Sequence, residues 1–277
     1  MKKLFTAILL LMVHFTFGQI VSKLNHDSNV NAGKYVSLEG VKLYYEEYGK
    51  GTPLVLIHGN GGNLEFMTPQ IEYFSKKYRV IAMDCRGRGK SELGKDSLTY
   101  MQMTKDLNAL LNYLHIDSTY IIGRSDGGII ALLFGIYYPD KAIKIAAFGS
   151  NLTPDSNALY DFEGIAINRK HADEMLAKHD TTENWYLLQQ RMRLMEFQPH
   201  ITPADLKRIK CPVLILSCDR DMIKEDHSLF IYRNIPKSNL CIFNGETHWI
   251  TKTNPTLFNT TVDKYFSKPY EGEEIRK

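Results

Sequence analysis

The chain has 277 residues, 44% of them apolar, with 34 lysines and arginines against 31 aspartates and glutamates and a net charge of +3. That is the composition of one globular domain with a sizeable buried core, and it excludes a fibrous or highly charged disordered chain. No basic run longer than a pair stands out, which argues against nucleic acid or another polyanion as a partner. Met1-Lys2-Lys3 precedes a nearly unbroken apolar run over residues 4–17, and Thr16 and Gly18 are small at −3 and −1 before Gln19. This reads as a secretory leader of residues 1–18. The run is shorter than the roughly 20 residues of a membrane span, and no cysteine follows it to carry a lipid. The expectation is export, into a bacterial periplasm or beyond, with no stable membrane anchor. Losing Lys2 and Lys3 leaves the mature domain, residues 19–277, near neutral.

Residues 19–33 are polar and irregular. Segments 34–38 and 41–48 flank Glu39-Gly40 as a hairpin. Continuous apolar runs at 53–57, 79–83, 119–122, 143–148, 212–216 and 240–243 read as strands covered on both faces. Helical patterns lie at 100–115, 126–138, 226–233 and 255–266. The fold class is therefore α/β, a mostly parallel central sheet with helices on both faces. The alternation breaks once, after the sixth strand, where 157–177, 182–197 and 202–209 read as helices. This insertion, about 151–208, carries Trp185, Tyr186, Met192, Met195 and Phe197. It would sit above the carboxyl ends of the strands, where ligands bind in open α/β sheets. Its apolar side chains suit a small helical lid, and they equally suit glue to the body.

Gly123-Arg124-Ser125-Asp126-Gly127-Gly128 joins the strand at 119–122 to the following helix. G-x-S-x-G between a strand and a helix is a nucleophile elbow. Side chains at Gly123 and Gly127 would collide with the strand and helix that the turn brings together. Ser125 is a weak nucleophile alone and needs a base oriented by an acid, in chain order serine, acid, histidine. His248, after the last strand and the loop 244–247, fits best. His14 leaves with the leader and His26 is in the irregular N-terminus. His115, His171, His179, His200 and His227 lie in helical or insertion patterns, where a packed or solvated imidazole is ordinary. His58 follows an early strand and is expected to anchor its loop. For the acid we favour Asp221, further past its strand end than Asp219, with Asp155 a third option. The oxyanion of a tetrahedral intermediate needs N–H donors. One is the backbone of Asp126. The other is that of Asn60 in His58-Gly59-Asn60-Gly61-Gly62, with Gly61 possible. The loop from Asp84 to Ser91 could bind an anionic substrate with its charges. The preferred reading is a rim shaped by turn glycines and an Asp–Arg hydrogen bond. Cys85, Cys211, Cys218 and Cys241 show no metal spacing. Export would permit disulfides, while three of the four sit in or beside apolar runs, where a buried free thiol is the plainer reading; no metal and no cofactor are expected.

Taken together, His58-Gly59-Asn60-Gly61, the 84–91 loop, the Ser125 elbow, Asp221 and His248 resemble the α/β-hydrolase superfamily over residues 34–266. Within it, Ser125-Asp126-Gly127-Gly128-Ile129, Gly149-Ser150-Asn151 and Tyr160-Asp161-Phe162-Glu163-Gly164-Ile165 are similar to the valacyclovir hydrolase-like esterases. That resemblance implies hydrolysis of α-amino acid esters, with Asp126 binding the substrate ammonium. A carboxylate beside a developing oxyanion also asks for a cation to offset it. Otherwise Asp126 is an acid in a first helical turn, stabilising by about 0.3–1 kcal/mol. The chain departs from those relatives at Arg124, where they carry an aromatic residue.

The expected function is a secreted serine hydrolase of carboxylic esters (carboxylesterase-like, EC 3.1.1) working through Ser125, His248 and Asp221 and an acyl-enzyme. The substrate is a small molecule. Carbon–carbon, amide and perhydrolytic chemistry are alternatives on the same residues. A dehalogenase is disfavoured because Ser125 holds the place of its carboxylate nucleophile. A non-catalytic binding protein on the same scaffold is more distant, because serine, acid, histidine and oxyanion loop are all present.

Overall fold

The structure is a computed structural model and describes residues 33–38 and 40–271. The leader expected over residues 1–18 lies outside the described residues, as do residues 19–32. In chain order the first elements are β1 (Gly33–Leu38), β2 (Val41–Tyr48), β3 (Pro53–Ile57), α1 (Thr68–Phe74), β4 (Arg79–Met83) and α2 (Tyr100–Tyr113). Next come β5 (Thr119–Arg124), α3 (Asp126–Tyr137), β6 (Ala142–Phe148), α4 (Phe162–Ala177), α5 (Trp185–Phe197) and α6 (Pro203–Leu206). The chain closes with β7 (Val213–Arg220), α7 (Glu225–Asn234), β8 (Ser238–Thr247), α8 (Ile250–Thr253) and α9 (Pro255–Ser267). The eight strands form one sheet in the order β1-β2-β4-β3-β5-β6-β7-β8. β2 runs antiparallel to both β1 and β4, and the remaining pairs are parallel.

The apolar strands divide their side chains between the two faces with the period-2 alternation of extended chain. Val55, Ile57, Ile81, Met83, Ile121, Ile145 and Val213 pack with α2 and α3 in one core, through Leu107, Leu110, Ile129 and Leu132. Leu54, Leu56, Val80, Ala82, Ile122, Ala146 and Leu214 pack with Ile71, Phe74, Phe258 and Val262 of α1 and α9 in the other. Burial on both sides is why these strands read as unbroken apolar runs. The seven-residue α1 is absent from the sequence reading, because two turns are too short for an apolar stripe to repeat.

Between β6 and β7 the chain is helical, as expected, with tighter bounds. Asp161 caps α4 through Gly164 N, Asn184 caps α5 through Leu187 N, and Thr202 and Asp205 close a capping box on α6. Met192 and Met195 join Ala158, Leu159, Ile165 and Ile223 in a small separate core, and Leu194 joins the main one. These side chains fasten the insertion to the body. Tyr186 and Phe197 stay exposed.

Two strands extend past their apolar runs, and this matters for the site. β7 and β8 continue in register to the pair Arg220–Thr247, with an irregularity after Cys218. The next residues are Asp221 and His248, so the register delivers the two side by side.

Candidate active site

Ser125 caps α3 with φ 55° and ψ −120°, a left-handed conformation that costs a non-glycine residue of order 1–3 kcal/mol. Its side chain makes no capping bond to the helix. Its N–H donates to Phe148 O at 2.7 Å, tying the elbow to the end of β6. A Cβ on Gly123 would come within 3.0 Å of the Gly127 backbone, and one on Gly127 would come as close to Ile57 O and His58 O. The expected collisions are therefore present. Asp126 opens α3, so its N–H has no acceptor inside the helix.

His248 is buried, with its ring stacked on Phe148 at 5.5 Å between centroids and 28° between planes. Nδ1–H donates to Asp221 Oδ1 at 2.6 Å. Ring geometry then leaves Nε2 on the opposite edge. Asp221 Oδ1 also accepts from Ile223 N at 3.2 Å, which holds the carboxylate in place. Asp219 is exposed and accepts from Gly245 N through both oxygens. Asp155 caps the local turn at Asn157 and Ala158. Of the three acids weighed, Asp221 alone reaches the imidazole. Ser125 and His248 converge on Phe148, one through its carbonyl and the other through its ring.

His58 anchors its loop as expected. Nδ1–H donates to Gly59 O at 2.8 Å, and Nε2 accepts from Cys85 N at 3.0 Å. Burial holds the imidazole at about 4 and keeps it neutral. An unfolded histidine titrates near 6.5. The stability from the neutral form is therefore complete above pH 6.5 and is lost as pH falls from 6.5 toward 4, by up to about 1.4 kcal/mol per unit. In urea titrations across that window, His58→Gln is expected to be less stable at pH 7 but shallower in slope. Equal slopes for the two proteins would refute this assignment.

A Cβ on Gly59 would lie 2.9 Å from Ser125 Cβ, so this loop passes directly by the serine. Asn60, expected to offer its backbone N–H, also works through its side chain. Nδ2 donates to Asp126 Oδ2 at 3.0 Å, and Oδ1 accepts from Arg191 Nε at 3.0 Å. Tyr100 OH donates to Asp126 Oδ1 at 2.9 Å. Both Asp126 oxygens are thus engaged. Burial pushes its carboxyl above the ordinary range, opposed by Arg88, these two hydrogen bonds and Arg191. Leu187 and Arg191, one turn apart on α5, lie against Gly87 and Gly61. The insertion therefore reaches the loops beside Ser125.

The 84–91 loop makes its Asp–Arg bond with an acid outside the loop. Asp84 accepts from Leu64 N at 2.7 Å and Lys90 N at 2.8 Å, bracing two loops through backbone donors. Arg86 turns away to a buried pair with Asp106 at 2.6 Å. Arg88 is buried near Asp126 and forms no ion pair among the described residues. Tyr100, Arg88 and Arg191 were not named individually as site residues by the sequence reading. Only the anion option for the 84–91 loop pointed toward one of them. All four cysteines are free, and burial raises their thiols.

A family model described as alpha/beta hydrolase fold matches residues 52–175, from β3 through the elbow into α4. The human serine hydrolase BPHL is 29% identical over 227 residues, 74% of this chain and 76% of its own. A 2-hydroxy-6-oxononadienedioate/2-hydroxy-6-oxononatrienedioate hydrolase of Burkholderia vietnamiensis is 27% identical, with 85% of this chain and 96% of its own covered. Among solved structures, an enol-lactonase from Burkholderia xenovorans superposes with a TM-score of 0.72 at 20% identity, over 85% of this chain and all of that one. With its sheet order, its strand-end loops and these likenesses, the chain has the α/β-hydrolase fold and is a hydrolase.

Proposed function

We propose that this hydrolase cleaves carboxylic esters through an acyl-enzyme formed on Ser125. The observation that carries the proposal is the buried His248–Asp221 hydrogen bond at the sheet edge beside the elbow. Asp221 holds Nδ1 protonated, so Nε2 can take the proton of Ser125 as Oγ attacks the carbonyl. The Asp126 N–H, with that of Asn60, receives the oxyanion. His248 then protonates the leaving alkoxide and activates the water that opens the acyl-enzyme. Residues 1–18 add the proposal that this happens after export, and α5 is proposed as the lid. A fluorophosphonate is expected to label wild type at Ser125 and to leave Ser125→Ala unlabelled. Absence of labelling in wild type would overturn the serine-nucleophile reading.

One observation bears on the substrate. Two guanidiniums, Arg88 and Arg191, act on the single carboxylate of Asp126, whose oxygens already accept from Tyr100 and Asn60. This balance favours a carboxylate-bearing substrate over the α-ammonium ester that the Asp126 motif suggests. The Burkholderia vietnamiensis relative is named for a dioate, which points the same way. A charged hydrogen bond contributes about 1.5–3 kcal/mol, or roughly 10–100-fold. kcat/KM for the monoester of a dicarboxylic acid should exceed that of the uncharged ester by this factor, and Arg191→Gln should erase the difference. A preference for the α-amino ester would instead support ammonium binding at Asp126. A 2-hydroxy-6-oxo dienoate in the same panel tests carbon–carbon cleavage.

A further inference from the structure

Arg124 has no place in the chemistry above, yet it sits at its centre. It is the last residue of β5, adjacent to Ser125, and is 4% exposed. Its guanidinium lies 4.7 Å from the ring centroid of Phe66 and 4.9 Å from that of Trp249. Nη2 donates to the main-chain carbonyl of His248 at 3.0 Å. A Cβ on Gly59 would stand 2.7 Å from Nη1. Lys252 Nζ caps the Phe66 ring at 3.9 Å. One side chain thus joins two loops to one strand. It starts on the strand leading into the nucleophile, bonds the histidine residue itself, and packs on Phe66 and Gly59 of the oxyanion-side loop.

A buried guanidinium is an expensive way to fill a slot between two aromatic rings. Nε has no acceptor, and the guanidinium forms no ion pair among the described residues. Burial lowers its pKa to about 10, with Asp221 and Asp126 acting in the opposite direction. A methionine would occupy the same slot without the desolvation cost. What methionine lacks is the hydrogen bond that ties the His248 backbone to the strand bearing Ser125. Cation–π contact with two rings holds the fork in the plane that makes this bond.

We infer that Arg124 is a positioning residue, clamping the His248 loop and the Gly59–Phe66 loop to the nucleophile strand so that serine and imidazole keep their reactive geometry. This rests on the proposed roles of Ser125 and His248. A displacement of about 1 Å in such a pair costs up to ~100-fold in rate. Arg124→Met is therefore expected to lower kcat by ~10–100-fold with KM within about twofold, and to slow Ser125 phosphonylation in parallel. Arg124→Lys keeps a cation and a donor, so it should recover most of kcat while melting below Arg124→Met. The two orders are the discriminating readout, because a role in packing alone would rank methionine above lysine in both. If Arg124→Met does not fold, Trp249→Leu removes one wall at a half-exposed position. It should lower kcat in the same sense at unchanged KM. Wild-type labelling with no change in kcat or phosphonylation in these variants would overturn the clamp. So would a rise in KM alone, which would mark Arg124 as a substrate contact. Failure of wild type to label would overturn the Ser125 reading itself.

Discussion

His248→Ala is expected to lower kcat by ~10⁶-fold while leaving the fold intact, the largest catalytic loss any single substitution here should cause. Among the described residues, the imidazole is the base that the strand ends bring to the elbow together with its own acid. Its Nδ1 is committed to Asp221, and its other nitrogen is free for the serine proton. Without it Ser125 attacks as a neutral alcohol, and the leaving alkoxide departs without a proton. Asp221→Asn should cost about 10⁴-fold, because an amide permits the wrong tautomer while preserving shape. The ring stacks on Phe148 and its carbonyl accepts from Arg124. The alanine variant keeps that carbonyl, so its melting temperature should stay within a few degrees of wild type. The check is steady-state hydrolysis of an activated ester beside thermal melts. Activity within 100-fold of wild type would remove His248 from the mechanism.

Gly127→Ala should have the largest effect on stability. One added carbon on the second residue of α3 would come within 3.0 Å of the carbonyls of Ile57 and His58. Both are backbone at the end of a central strand, so no flexible side chain can swing away. Relief requires moving α3 off the sheet, which disrupts the core around Ile129, Leu132 and Leu133. The cost is placed above roughly 4–5 kcal/mol, comparable to the whole stability of an ordinary domain. Gly245→Ala is the control. Unlike Gly127 it carries a positive φ, of 75°, but it has open space around it, so it should lose only about 1–2 kcal/mol of backbone preference. Urea midpoints and soluble yield measure both. A Gly127→Ala protein as stable as the Gly245→Ala protein would show that the elbow tolerates a side chain.

Much of this was legible along the chain. The apolar runs announced strands because β3, β4, β5 and β6 lie between two helical layers. The elbow was legible because its glycines answer a local steric demand. His248 was found from its place after the last strand. The choice of acid was open among Asp221, Asp219 and Asp155, since spacing alone does not say which carboxylate the register of β7 against β8 will deliver. The Asp–Arg hydrogen bond expected of the 84–91 loop is made by Arg86 with Asp106 in the middle of α2, while Asp84 gathers two backbone donors. Those pairings depend on how loops and helices dock. Arg124 stood out in the sequence as a departure, but nothing local named Phe66 and Trp249 as its walls.

The sequence by itself determined the α/β class, the order of the strands and the longer helices, the strained serine and the histidine after the last strand. These follow from short-range sterics and from burial periodicity, which every stretch of chain carries with it. Only the tertiary structure decided which acid meets His248, that Tyr100 and Asn60 already engage Asp126, and that Arg88 and Arg191 flank it. It also decided that Arg124 is held between two rings against the His248 carbonyl. Each of these is a meeting of groups far apart in sequence, set by sheet register and by where the inserted helices land. The electrostatic balance beside Ser125 is a sum over such meetings, so it does not exist until the chain has folded.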